Sequence, residues 1–309
     1  MRILIVGAGA TGGYFGGRLL QAGQDVTFLV RARRLEQLAQ HGLVIRSAFG
    51  NVELPAPPTV QAGELREPFD LIVVSCKAYH LPQVIEDMAP AVGPDTMIVP
   101  LLNGMRHLDV LDERFGAERV LGGQCVIAAT LDKQGMVHHL NQSHSLTFGE
   151  RDGSRSERVE RVLAAMSQAK FEPRLSTTIL QDMWDKWVFL ASLAGITCLM
   201  RAPVGDVMAA SGGEAATLQL LEDCRRVAAL NQHAPSDAVL ARACSVLTEK
   251  GSKLSASMMR DLEQGGQIEA DHVIGDMLAR AGEEAESLAM LRTAYTHLKA
   301  YEARRDGSG

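Results

Sequence analysis

Apolar residues come in short unbroken runs through the N-terminal part of this chain and at helical spacing through the C-terminal part. Ile3-Leu4-Ile5-Val6 is such a run and stops at glycine, the pattern of a strand buried on both faces. The spacing then predicts a helix over 10–22 closed by Gly23, a strand over 26–30 and a basic helix over 32–40. Gly42 and the Pro55-Ala56-Pro57-Pro58 stretch predict a hairpin or loop. Two further pairs repeat the alternation. One is a strand over 71–75 with a helix over 82–88; the other is a strand over 97–101 with an Asn103-Gly104 turn and a helix running to Phe115. Strands alternating with helices imply a mostly parallel sheet joined by right-handed crossovers.

Beyond Val120 the pattern turns to strands, expected over 122–131, 137–140 and 145–148. A loop at Arg151-Asp152-Gly153-Ser154 leads to a helix over 158–168, and from Ile179 onward every segment reads as helix. The boundary therefore falls near Thr177, with an α/β domain over 1–177 and an all-helical domain over 178–309. The uncharged stretch 187–200 is expected to be too short to span a bilayer and to form a buried helix.

A length of 309 residues suits two domains, each able to bury its own core. Hydrophobic residues make up 46% and charged residues 22%, which excludes a disordered chain. A formal net charge of −6 without a long basic stripe argues against nucleic acid as a partner. Cys76, Cys125, Cys198, Cys224 and Cys244 are scattered without a CxxC pair, so neither a disulfide framework nor a metal site is expected. They suit a reducing compartment. With no charged-then-apolar leader before the first strand, the protein is expected in the cytoplasm and off the membrane.

Gly7-Ala8-Gly9-Ala10-Thr11-Gly12 fits GxGxxG between a predicted strand and a predicted helix, the setting that a dinucleotide fingerprint requires. Gly7 permits the tight turn, Gly9 lets the backbone meet a pyrophosphate, and Gly12 allows close helix–strand packing. The N–H groups of the helix start then face the diphosphate with the helix dipole behind them. A tight turn without a ligand is the plainer alternative. The implied fold class is α/β: a Rossmann-type dinucleotide-binding domain, then the all-helical C-terminal domain. An NAD site carries a carboxylate after the second strand for the ribose 2′-hydroxyl. This chain has Arg31 there, with Arg33 and Arg34 behind it. A guanidinium pairs with a 2′-phosphate that a carboxylate repels, so NADP(H) is the expected cofactor. Solvation of a helix start accounts for Arg33 and Arg34 better than for Arg31.

Reduction of a ketone needs a hydride and a proton. Lys186, in Trp184-Asp185-Lys186-Trp187, opens a run with no further charge until Arg201. Near a carbonyl such a lysine stabilises the developing alkoxide and delivers the proton. A surface lysine that lays its stem along an apolar helix fits the same spacing. Glu269 can orient Lys186 or receive a substrate hydroxyl, or it can simply complement a helix dipole. Asn103 follows the 97–101 strand, at the carboxyl end of the sheet where open α/β folds bind ligands; Asn-Gly is also an ordinary turn. Ser257 can bind a carboxylate or lie exposed on a helix.

Taken together these segments resemble the ketopantoate reductase family from residue 1 to about residue 300. The resemblance is carried by residues 7–12, Arg31, Cys76-Lys77-Ala78, Leu102-Asn103-Gly104-Met105, Met183-Trp184-Asp185-Lys186, Ser257-Met258, Asp261 and Glu269. It implies Lys186 as general acid, assisted by Glu269. Lys77 and Asn103 are implied to line the cofactor site, and Ala129, in the Ala128-Ala129 pair, to approach the nicotinamide. Asn103, Lys186 and Ser257 are implied substrate contacts, with Ser257 near the carboxylate. The reaction implied is NADPH-dependent reduction of 2-dehydropantoate to pantoate, towards pantothenate.

One departure bears on the substrate. Well-studied members carry asparagines four and eight residues after the lysine, where this chain has Leu190 and Ala194. Each lost hydrogen bond to a polar substrate costs about 0.5–1.5 kcal/mol. Thr197, one turn further, is a candidate to compensate. Three readings are open: reduction of 2-dehydropantoate, reduction of a more apolar 2-oxo acid, or a non-catalytic NADP(H)-binding sensor. The methionine-rich helical half also offers apolar faces for a homodimer.

Overall fold

Ile3, Leu4 and Ile5 are fully buried, as a strand covered on both faces requires. A computed structural model describes residues 1–307 and places that strand, β1 (Arg2–Val6), at the middle of a parallel sheet. It is followed by α1 (Ala10–Gln21), β2 (Asp25–Leu29), α2 (Ala32–His41), β3 (Leu43–Arg46), β4 (Val52–Leu54) and β5 (Thr59–Val60). Next come β6 (Leu71–Val74), α3 (Leu81–Met88), β7 (Met97–Pro100), α4 (Arg106–Phe115), β8 (Gly122–Leu131), β9 (Val137–Gly149), α5 (Glu157–Met166) and β10 (Glu172–Leu175). The chain divides into two compact units, residues 1–102 with 107–180, and residues 103–106 with 181 onward.

In the first unit one sheet runs β5-β2-β1-β6-β7, parallel throughout, and a second runs β10-β9-β3-β4 with β8 against β9. Helix α1 packs on both sheets. A Cβ on Gly16 would sit 2.6 Å from Phe28 of β2, and one on Gly17 would sit 2.8 Å from Ile45 of β3. Each interior glycine costs a helix about 0.5–1 kcal/mol relative to alanine. Close approach on two sides offsets that cost, so α1 is helical despite its glycines.

Two expectations about strands are corrected. The strands expected over 137–140 and 145–148 are one strand, β9, that continues through the polar Asn141-Gln142-Ser143-His144. It continues because the side chains there have local partners. Asn141 Oδ1 accepts the Ala128 N–H at 3.0 Å, where the β8–β9 register slips between Ile127 and Ala129. His144 stacks on Phe49 at 3.9 Å and bonds Tyr14 through Nδ1 at 2.8 Å. Strand β10, Glu172-Pro173-Arg174-Leu175, lies outside the expected strands; it is an edge strand, where a proline and charges are tolerated. The proline-rich stretch follows the β3–β4 hairpin and leads into the two-residue edge strand β5.

The second unit holds α6 (Ile179–Met200) from Gln181 onward, with α7 (Val204–Ala209), α8 (Gly213–Leu230), α9 (Asp237–Leu247), α10 (Ser257–Glu263), α11 (Asp276–Ala279) and α12 (Ala289–Asp306). The uncharged stretch 187–200 understates α6, which begins eight residues earlier and includes Asp182, Asp185 and Lys186. At 22 residues it is long and apolar enough to cross a membrane, but 67% of its most apolar window is buried within the protein, as for a core helix. Its buried hydroxyls stay satisfied by turning back on the helix: Ser192 donates to the Val188 carbonyl at 2.7 Å and Thr197 to the Leu193 carbonyl at 2.6 Å.

Asp223 of α8 is fully buried and caps α12, accepting the N–H groups of Met290 at 3.0 Å and Leu291 at 3.1 Å. A carboxylate on a helix N-terminus gains from both the hydrogen bonds and the dipole. Asp223→Ala is expected to destabilise the protein by about 2–4 kcal/mol, read as a fall of several degrees in Tm. A melting temperature unchanged within about 1 °C would show that the cap adds little.

Candidate active site

Strand β1 ends at Val6, and Gly7 turns the chain with φ +92°, a left-handed conformation costly for any other residue. Gly12 is set by contact: a Cβ there would fall 2.0 Å from the Gly7 carbonyl oxygen and 2.2 Å from Ser75 Oγ. Ser75 itself donates to the Val6 carbonyl at 2.9 Å, which ties the end of β6 to the loop. Gly9 differs. A Cβ on it would meet nothing within 4 Å among the described residues, so packing within the protein does not demand glycine there. A ligand pressed against the backbone does demand it. Helix α1 starts at Ala10 without a side-chain cap, so the N–H groups of Ala10, Thr11 and Gly12 are available to an anion. The loop therefore fits a dinucleotide diphosphate.

The arginines after β2 have separate tasks. Arg31 is exposed at the N-cap of α2, its Nη1 3.4 Å from His80 Nδ1. Arg33 is exposed on α2. Arg34 does not merely solvate a helix start. It is half-buried, and it donates through Nε to the Ala8 carbonyl at 2.8 Å and through Nη1 to the Gly135 carbonyl at 2.9 Å. It thereby braces the glycine loop against the β8–β9 turn. Lys77 is half-buried and heads a single turn, Ala78–His80, after β6. Ala129 lies at the register slip of β8, opposite His139, and such slips re-aim a strand next to functional sites.

In the second unit Lys186 is half-buried on α6, in sequence between the buried Trp184 and Trp187, whose ring centroids are 4.9 Å apart. Trp187 Nε1 donates to the Val273 carbonyl at 2.9 Å, and the Val273 N–H donates to the Glu269 carbonyl at 2.9 Å. The turn that carries Lys186 is thus bound to the segment that carries Glu269, itself buried. That segment continues as one π-helical turn, Asp271–Gly275, a rare form that is frequent at functional sites.

His272, absent from the candidates read from the sequence, belongs with this group. Burial holds it below the usual histidine range, opposed by the charges of Glu269 and Asp276 and by a hydrogen bond with the Asn103 backbone. The only sequence signal is its spacing, three residues after Glu269 and four before Asp276, along one helix face. Asn103, expected in the α/β domain, clusters instead with the helical unit as part of residues 103–106. The cause is local: a Cβ on Gly104 would lie 2.9 Å from the His272 carbonyl oxygen.

Ser257 is exposed at the first residue of α10. The N–H of Ala256 before it reaches Thr197 Oγ1 at 3.4 Å. Thr197 lies eleven residues after Lys186 and so on the same face of α6, which brings Ser257 to that face. Thr197 cannot replace lost substrate contacts, however: it is fully buried, and its hydroxyl is engaged by Leu193 and Ala256. Leu190 is half-buried and Ala194 is buried, so past Lys186 this face is apolar.

Comparison with known proteins places these features in a group. The family described as Ketopantoate reductase PanE/ApbA matches residues 3–153, and its C-terminal counterpart matches residues 178–302. An uncharacterised oxidoreductase of Bacillus subtilis, YkpB, is 40% identical over 99% of this chain and 100% of its own length. The crystal structure of a 2-dehydropantoate 2-reductase from Geobacter metallireducens is 29% identical, covers 97% of this chain and 99% of that one, and superposes with a TM-score of 0.88. A D-mandelate dehydrogenase, solved with NADH and anilino(oxo)acetate, shares the fold with a TM-score of 0.88 at 22% identity, over 99% of this chain and 100% of that one.

Proposed function

Since the chain belongs to the ketopantoate reductase family, we propose that it reduces a small 2-oxo acid with NADPH, 2-dehydropantoate being the first candidate, and that Lys186 supplies the proton. It is an oxidoreductase of 2-oxo or 2-hydroxy acids that uses a nicotinamide dinucleotide. The observation that carries the proton-donor reading is the bond from Trp187 to Val273, which holds the Lys186 turn of α6 to the Glu269 segment.

NADPH, held by the Gly7–Gly12 loop, would supply the hydride that the keto carbon takes up. The ammonium of Lys186 offsets the charge growing on the carbonyl oxygen and passes it a proton, leaving a 2-hydroxy acid and a neutral amine that solvent reprotonates. Glu269, buried beside this turn, assists the lysine. Ser257 and Asn103 hold the acid, and the Gly7–Gly12 loop with Arg31, Lys77 and Ala129 holds the cofactor. Arg31 selects NADPH over NADH through the 2′-phosphate. Pantoate formation in the cytoplasm is the physiological setting of the first candidate, and five cysteines outside any disulfide suit that compartment.

A second reading has a specific observation behind it. With Leu190 and Ala194 on the Lys186 face and Thr197 committed to the fold, α6 suits a 2-oxo acid with an apolar substituent. The ligand in the D-mandelate dehydrogenase structure, anilino(oxo)acetate, is of that kind. NADPH oxidation against a panel of 2-oxo acids, with 2-dehydropantoate included and NADH as control, separates the readings. Efficient turnover of 2-dehydropantoate is the expected result. Turnover confined to apolar 2-oxo acids would move the substrate and keep the mechanism, and tight NADPH binding without any turnover would leave a sensor.

A further inference from the structure

Two groups that are both able to carry positive charge stand against each other after β2 and β6, the strands on either side of β1. Arg31 reaches from the N-cap of α2, and His80 closes the Ala78–His80 turn, its N–H donating to the Lys77 carbonyl at 2.9 Å. At 3.4 Å between Nη1 and Nδ1 the guanidinium is the donor, since arginine has no acceptor. Nδ1 of His80 is therefore the acceptor, and the ring proton sits on Nε2. Of the groups packed around His80, Arg31 faces it from α2, Lys77 stands at the head of its own turn, and the Tyr79 ring meets it edge-on at 4.7 Å. Among the described residues no carboxylate acts on it; burial first and the Arg31 charge second hold His80 below the usual histidine range. An arginine beside a histidine on which, among the described residues, no carboxylate acts, flanking a dinucleotide loop, is completed by an anion from the ligand.

We propose that His80 is a pH-sensitive partner of Arg31 in reading the 2′-phosphate of NADPH, so that the preference for NADPH over NADH grows as the pH falls. The inference rests on the reading of Arg31 as the 2′-phosphate residue and adds its regulation. A phosphate dianion set beside both groups favours the imidazolium, which adds its own charge-assisted hydrogen bond. NADPH binding then takes up a proton. NADH offers only a hydroxyl there, so a second cation beside Arg31 gains nothing from it. The sign is fixed by linkage. His80 is neutral in the free protein near pH 7 and binds protons more tightly in the NADPH complex, so NADPH affinity rises as pH drops from 8.5. The gain ends near pH 6, where the phosphate itself takes a proton, at about its second pKa.

Titration calorimetry of NADPH and of NADH with the full chain, between pH 6 and 8.5 and in buffers of different ionisation enthalpy, tests this. The expected result is a roughly tenfold tightening of NADPH binding over that range with measurable proton uptake, and a flat profile for NADH. His80→Gln, with no titrating ring, should keep a preference for NADPH but lose its pH slope and the proton uptake. A wild-type preference that is flat with pH, without proton uptake, would overturn the role of His80, and so would an unchanged slope in His80→Gln. The wild-type calorimetry decides the question even if the variant folds poorly. Equal binding of NADPH and NADH at every pH would overturn the Arg31 reading together with this one.

Discussion

Lys186→Ala should lower the rate of 2-oxo acid reduction about 10²–10⁴-fold while NADPH binds as it does in the wild type. The lysine is half-buried on α6 and its removal leaves both flanking tryptophans in place. Trp187 still donates to Val273, so the Glu269 segment keeps its attachment and the fold is not what fails. A melting curve close to wild type checks that premise. Lys186→Arg separates two parts of the role. A guanidinium keeps the positive charge but does not give up its proton in water, so it should restore part of the electrostatic stabilisation and none of the proton transfer. NADPH oxidation under saturating substrate and nucleotide fluorescence on binding are the two readouts. Normal turnover in the alanine variant would place the general acid elsewhere.

Arg31→Glu should weaken NADPH binding by about two to three orders of magnitude and change NADH binding only a few-fold. A hydrogen bond to a charged group contributes about 1.5–3 kcal/mol, and a factor of ten corresponds to about 1.4 kcal/mol. The loss of a guanidinium–phosphate pair, with a carboxylate put in its place, accounts for that range. The neighbouring arginines do not take over. Arg34 is held by the Ala8 and Gly135 carbonyls, and Arg33 is exposed further along α2. Arg33→Glu is accordingly the control, with a much smaller effect expected. Equal losses for both nucleotides would mean that Arg31 does not distinguish them.

The parts of this molecule that can be read from the chain are those in which cause and effect are adjacent. Short apolar runs mark β1, β6 and β7 because a strand covered on both faces has few polar positions to alternate with. The Gly7–Gly12 loop and Arg31 are readable for the same reason, since a turn, a helix start and the next strand end lie within one supersecondary unit. Features that escape such a reading depend on partners far along the chain. Strand β9 crosses a polar stretch only because Asn141, Tyr14 and Phe49 satisfy it, and Pro173 is acceptable in β10 only because that strand is at an edge. Thr197 is free by its spacing alone, but its hydroxyl is taken by a backbone group nearly sixty residues later. Arg34 joins Ala8 to Gly135, and His272 meets Asn103; neither separation leaves a periodic trace.

The π-helical turn Asp271–Gly275 sets the register of the residues before it. Such a turn accommodates one residue more than an α-helix of the same rise. Deleting a single residue there and letting the segment relax to α-helix would leave the upstream residues facing nearly as they do now, whereas relaxing it with every residue kept would rotate everything upstream by about 100° relative to α11. Glu269 would turn away from its present face although no side chain had been exchanged. Glu269 keeps its aim with the π-turn and all its residues, or with one residue fewer and a plain α-helix, but not with all its residues in a plain α-helix. Variants with a one-residue gap in this stretch would have a plain α-helix and a carboxylate aimed nearly as it is here.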